Sequence, residues 1–198
     1  MPTSAPIGRV TRCSIQGFDG GIRLTHPDRP SFGALCKAAA QQGASDVIGL
    51  IYDINIQDDE LARQLAAADA PAAELRADQQ FVRPIPIEIR TLTVGFVAGG
   101  RFEQRLPPQP PITLAEIYPL ESEEVRQFTE RLDFLTLVLA APQLPVDHLL
   151  AACLRQAALA RPESARRAFL IDAGRACARL LAGDLARLNQ LVQDLGQP

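Results

Sequence analysis

The sequence predicts an α+β protein, a small six-stranded β-barrel followed by a C-terminal helical bundle. Two observations carry this. Up to about Leu106, apolar and polar residues alternate with period two between glycine-rich punctuation, the pattern of half-buried strands. Beyond the proline run PPQPP, Pro107 to Pro111, the apolar residues recur at helical spacing. The expected organisation is residues 1–106 as a barrel with a helical insertion near 58–78, residues 107–112 as a stiff proline-rich linker, and residues 113–198 as a helical region.

Each strand has its own warrant. IGRVTRCSI, Ile7 to Ile15, alternates; GFDGG, Gly17 to Gly21, offers turn glycines; GIRLT resumes the alternation, so a hairpin is expected. FGALCKA, Phe32 to Ala38, reads as a third strand and DVIGLIYDINI, Asp46 to Ile56, as a long fourth. In the fourth, Val47, Gly49 and Ile51 share one face and Ile48, Leu50, Tyr52, Ile54 and Ile56 the other. A strand apolar on both faces until Asp53 is buried on both sides for half its length. The fifth, PIPIEIRTLTVGFVA, Pro84 to Ala98, begins with Ile85, Ile87 and Ile89 on one face, then moves its larger apolar residues to the other at Leu92, Val94 and Phe96. That swap predicts a bulge or bend near Arg90. Gly99-Gly100 suits the two-residue turn with positive φ at both positions, and RFEQRL, Arg101 to Leu106, alternates as a sixth strand. Closing the six into a barrel removes exposed sheet edges.

Between the fourth and fifth strands, Asp58 stands where strand spacing gives way to Leu61, Leu65 and Ala68, which predicts an N-cap with Asp59 and Glu60 in the first helical turn. Asp46 opens a strand beside a glycine turn. Of the five carboxylates from Asp46 to Glu60, Asp53 alone is left without a routine structural task. In the C-terminal half, helical spacing runs through SEEVRQFTERLDFLTLVLAA, VDHLLAACLRQAALA, SARRAFLIDAGRACARLLAG and DLARLNQLVQDL, which predicts three or four helices. Leu149, Leu150, Cys153, Leu154 and Ala157 form one stripe, and Leu185, Leu188, Leu191, Val192 and Leu195 another. Gly183 and Asp184 supply a helix stop and a fresh cap.

Composition excludes more than it assigns. A net charge of −3 and a pI near 5.4 argue against a polyanion binder working by bulk electrostatics. Lys37 is the only lysine, so every other basic residue is arginine; codon bias of a GC-rich genome explains this before selection for guanidinium chemistry does. The four cysteines, Cys13, Cys36, Cys153 and Cys177, show no CxxC spacing and read as buried thiols in a reducing compartment. With His26 and His148 as the only histidines, no metal centre and no cofactor is expected. No basic segment precedes an apolar run, and no apolar run approaches about 20 residues, so a cytoplasmic protein that does not span a membrane is expected.

The motifs of common chemistry are missing. Lys37 is followed by alanine and not preceded by glycine, so it closes no P-loop, and no GxSxG, HExxH or EF-hand spacing occurs. The proline run has PxxP spacing twice, which a groove-binding ligand and a stiff spacer share; the spacer is the plainer reading. Arginines crowd the C-terminal helices. Arg155, Arg166, Arg167, Arg175 and Arg179 are the candidate interaction surface, set against the default of a solvated helix face. The segment from Asp46 to Asp78 is acidic in complement, so the two halves of the chain are fit to attract each other.

IGRV, FGALCKA and VIGLIYDI, in that order, resemble the HAS-barrel, the small β-barrel at the N-terminus of HerA-type DNA-translocating ATPases and of ATP synthase subunits. The resemblance covers roughly the first hundred residues. In those families the barrel is a crown that helps assemble a ring, and the nucleotide site belongs to the ATPase domain behind it. Here a helical region without a P-loop follows, so ATP hydrolysis does not carry over and no functional residue transfers. The resemblance implies a non-enzymatic assembly or adaptor protein, acting with a ring ATPase, with itself or with another macromolecule. Two alternatives stand beside it. One is a nucleic-acid-binding module, opposed by the acidic total and an aromatic content of 5%. The other is a carboxylate-dependent enzyme with Asp53 as base.

Overall fold

Residues 5–23, 30–56 and 86–196 are described by a computed structural model. The strands are β1 (Gly8–Cys13), β2 (Gly17–Arg23), β3 (Leu35–Ala40), β4 (Ser45–Ile56), β5 (Pro86–Ala98), β6 (Arg101–Glu103) and β7 (Glu116–Pro119). Six of them close a barrel in the order β1-β2-β5-β4-β3-β7 and back to β1, every pair antiparallel. The expected helical insertion near 58–78, with Asp58, Asp59 and Glu60, lies outside the described residues, as does His26.

The barrel has the six staves expected, but one is a different segment. The sequence assigns the sixth strand to Arg101–Leu106. In the structure β6 pairs only with β5 and projects as a hairpin outside the closure, joined by Gly99 at φ +57° and Gly100 at φ +76°. The closing stave is β7, which follows the proline run and falls in the region assigned to helices. Four residues with one inward side chain, Ile117, are too few to show alternation. Nor is the proline run a free spacer. Pro107 and Pro111 are buried, Pro111 bridges Ala40, and Ile112 N donates to Ala39 O at 2.9 Å. A second correction concerns GFDGG. These residues lie within β2, and the turn is Ser14–Gln16. Gly20 is needed because a Cβ there would stand 2.3 Å from Ile117 Cδ1, so glycine lets two staves approach across the interior.

Side chains fill the barrel. Val10, Phe18, Ile22, Cys36, Val47, Ile51, Ile87, Ile89 and Ile117 form one buried cluster. A bulge lies beside Arg90, but on the facing strand: Ile51 pairs with Thr91 and Asp53 with Arg90, which leaves Tyr52 unpaired on β4. The extra residue returns Ile54 to the interior and turns Asp53 outward. β5 keeps its parity there, with Ile87 and Ile89 inside the barrel and Leu92 and Val94 packed against the helices outside it.

Five helices follow among the described residues: α1 (Ser122–Phe128), α2 (Leu135–Leu139), α3 (Val146–Leu159), α4 (Glu163–Leu180) and α5 (Leu185–Gly196). The first long helical pattern is broken in two. Gln104 accounts for the break: its side chain accepts from Phe134 N at 2.9 Å and donates to Arg131 O at 2.9 Å and to Phe128 O. Asp184 caps α5 as expected, Oδ1 accepting from Arg187 N at 3.1 Å. The helices dock on the barrel. Ile48, Leu50 and Val94 on its outer wall share one core with Phe128, Phe134, Leu149, Leu150 and Leu154. Barrel and helices are therefore held by a common hydrophobic interface, not tethered by a linker.

Candidate functional site

The five arginines proposed as an interaction surface divide into two groups. Arg155 is a structural clamp, its Nη1 donating to Asp194 O at 2.8 Å and tying α3 to α5. Arg166 is half-buried, Nε donating to Arg161 O at 3.2 Å. Arg167, Arg175 and Arg179 are exposed on α4. Their spacing, with Ile171, is 167, 171, 175 and 179, and residues four apart on a helix lie nearly above one another. They form one ridge of three guanidinium groups around an isoleucine that is 47% exposed. From Arg167 to Arg179 it runs about 18 Å.

The ridge faces outward because α4 packs through its opposite side. The buried side chains of its 18 residues are Ala173, Ala176 and Cys177, all small. Arg175 pairs with Asp172 at 3.1 Å, but both groups are mostly exposed, so the pair contributes little and leaves the ridge cationic. The arginines that do structural work are elsewhere. Arg161 stacks on the Phe169 ring at 3.7 Å and donates to Thr129 O at 3.2 Å and Thr129 Oγ1 at 2.9 Å. Burial, with the Arg126 charge nearby, lowers its pKa. Arg187 grips Asp147 with two hydrogen bonds, 2.7 and 3.0 Å, and that contact raises the arginine pKa. Neither was separable from the exposed group by sequence.

Asp53 meets a different fate. The strand registers place Arg12, Asp19, Arg90 and Asp53 opposite one another across β1, β2, β5 and β4, a row of alternating charge on the barrel exterior. Burial and Glu88 raise the Asp19 pKa, while Arg90 and Arg12 oppose the rise. The bulged Tyr52, not Asp53, lines the cleft between the barrel and α2. The register thus sets Asp53 opposite Arg90 on the neighbouring strand.

Cys36 and Cys153 are buried thiols whose pKa values are pushed up to about 12, and burial takes Cys177 up to about 11. All four cysteines are unpaired. Among the described residues no three His, Cys, Asp or Glu side chains gather to hold a metal ion, and no helix is long and apolar enough to cross a membrane. No protein-family model matches the chain, and no curated protein is similar to it in sequence.

Proposed function

We propose that the protein is a non-enzymatic assembly or adaptor protein of the cytoplasm, presenting the outer face of α4 to a protein partner. The observation that carries this is α4 itself: an 18-residue helix that buries three small side chains and turns Arg167, Ile171, Arg175 and Arg179 to solvent. Aliphatic residue and arginine together are the composition of a contact face, since arginine binds carboxylates in a bidentate manner and the isoleucine gains by leaving water. The unpaired cysteines fit a reducing compartment. The barrel pattern makes a ring ATPase with a HAS-barrel the expected partner, because barrels of one kind are suited to pack side by side.

Co-expression with the HAS-barrel ATPase of the same genome, followed by affinity capture, tests the reading. Recovery of the ATPase with the wild-type chain, and its loss with Arg175→Glu combined with Arg179→Glu, is expected. No recovery under low-salt conditions counts against it. A second reading rests on the same three arginines, which also suit backbone phosphates. Filter binding at low salt separates the two: retention of DNA or RNA by the wild type, abolished by the same double substitution, favours nucleic acid.

A further inference from the structure

The α4 ridge has a counterpart on the barrel of the same molecule. A groove over the outer surface of β3 and β7 is lined by Asp46, Glu116, Glu121 and Glu124 against the single ammonium of Lys37. Lys37 is already paired with Glu124, and Arg9 holds Glu116 at 2.9 Å. The excess negative charge rests on Asp46 and Glu121, and Glu121 Oε1 is a buried oxygen with no hydrogen-bond partner. Along one bank Ile112 and Leu114 stand 43% and 65% exposed. Leu114 holds φ at +67°, where bulky side chains are rare. Its N–H donates to Val10 O at 2.9 Å and its carbonyl accepts from Arg9 Nη1 at 3.3 Å, so β1 fixes the turn that holds the leucine out.

Cationic ridge and acidic groove each carry an exposed aliphatic group, and they cannot meet within one molecule, because α4 packs on α3 and α5. We propose that copies of this chain associate head to tail, the α4 ridge of one copy seated in the β3–β7 groove of the next. The inference rests on the reading of α4 as a contact face and names one occupant for it. A symmetric pairing of two α4 helices is disfavoured. Crossing antiparallel at Ile171, it sets Arg167 of one copy against Arg175 of the other, like charge on like. The heterologous contact pairs opposite charges and leaves a free groove and a free ridge on every dimer, so association proceeds beyond two copies or closes on itself.

Sedimentation velocity on the full chain tests this. At about 50 mM salt and about 100 μM protein the wild type sediments above monomer mass, and at about 500 mM salt it returns toward monomer, because exposed charges are screened. Arg175→Glu and Asp46→Arg each weaken association about tenfold or more. Mixing these two variants restores a one-to-one pair, since the unaltered ridge of one still meets the unaltered groove of the other. Leu114→Gly weakens association while holding or raising the thermal midpoint, because glycine accepts the left-handed φ. A wild type that stays monomeric at low salt overturns the proposal, as do variants that associate like wild type. A monomer that still captures the ATPase through Arg175 overturns self-association and leaves the adaptor reading standing.

Discussion

Helices α3 and α4 are neighbours in sequence and in space, and they differ in what they hide. α3 buries nine of its 14 residues, including Leu149, Leu150, Cys153 and Leu154, because it lies between the barrel wall and the outer helices. α4 is four residues longer and buries three. Length and helical spacing are similar in the two, so neither tells a core helix from a surface one. What separates them is which residues occupy the inward stripe. α3 fills it with leucines, while the fully buried residues of α4 are Ala173, Ala176 and Cys177, with Phe169 and Leu170 only partly covered against the same core. α3 holds the two layers together; α4 is held by them and leaves its outer face to solvent.

The thiols give the widest contrast. Cys153 of α3 is raised to about 12 and Cys177 of α4 to about 11. Burial keeps both protonated and out of reach at pH 8, where a free thiol is partly ionised. Timed alkylation with site-resolved mass spectrometry is expected to modify the half-buried Cys13 first, with Cys153 and Cys177 modified only as the structure opens. Labelling of Cys153 as fast as that of Cys13 would break the reading of α3 as a central helix.

Stability should follow the same order. Leu150→Ala removes a fully buried side chain at the barrel contact and is expected to cost about 3 kcal/mol, with a melting point lowered by roughly 10 °C. Chemical denaturation reads this directly, and a loss below about 1 kcal/mol would mean that the helices do not depend on that interface. A smaller effect belongs to the clamp between α3 and α5. Asp147→Ala leaves Arg187, itself 41% exposed, without its two-point partner, and about 1 kcal/mol is expected after allowing for solvent screening. A double-mutant cycle with Arg187→Ala should give a larger coupling than the same cycle on Arg175 and Asp172, where about 0–0.5 kcal/mol is expected.

Much of this architecture was legible from residues alone, where the signal was local. Gly99-Gly100 announced a turn that needs two positive φ angles, and the apolar faces of DVIGLIYDINI announced a strand covered inside and out. The swap of large apolar residues after Arg90 is a change of cover, barrel interior before it and helices after it, and the bulge beside Arg90 belongs to the facing strand. Non-local features stayed hidden. β7 closes the barrel with one inward side chain and is recognisable only by the strands that flank it. The break between α1 and α2 depends on Gln104, about 30 residues upstream of Phe134 in sequence. For the candidate site, the four-residue spacing of Arg167, Ile171, Arg175 and Arg179 was always in the sequence. Separating it from Arg155 and Arg166 required knowing which guanidinium groups already held backbone carbonyls. Asp53 stood alone in the sequence because Arg90, which faces it in the sheet, lies on another strand.

The smallest stability effect carries the sharpest test of the comparison. Ile171 is as hydrophobic as the leucines of α3, so a rule that ranks residues by type alone predicts a large loss for Ile171→Ala. Position predicts otherwise. Ile171 is about half exposed already, and no neighbouring helix covers it, so truncation removes little buried area and opens no cavity. Alanine also has the higher helix propensity, which offsets part of what is lost. The expected change is within about 0.5 kcal/mol, and Arg175→Ala should fall in the same range. Measured on dilute monomer, a loss above about 1.5 kcal/mol would show that the α4 face packs within its own molecule and is no contact surface. A negligible loss, paired with weakened association at higher concentration, assigns these side chains to intermolecular contact, since a residue that does nothing for its own fold yet alters assembly is acting on another molecule.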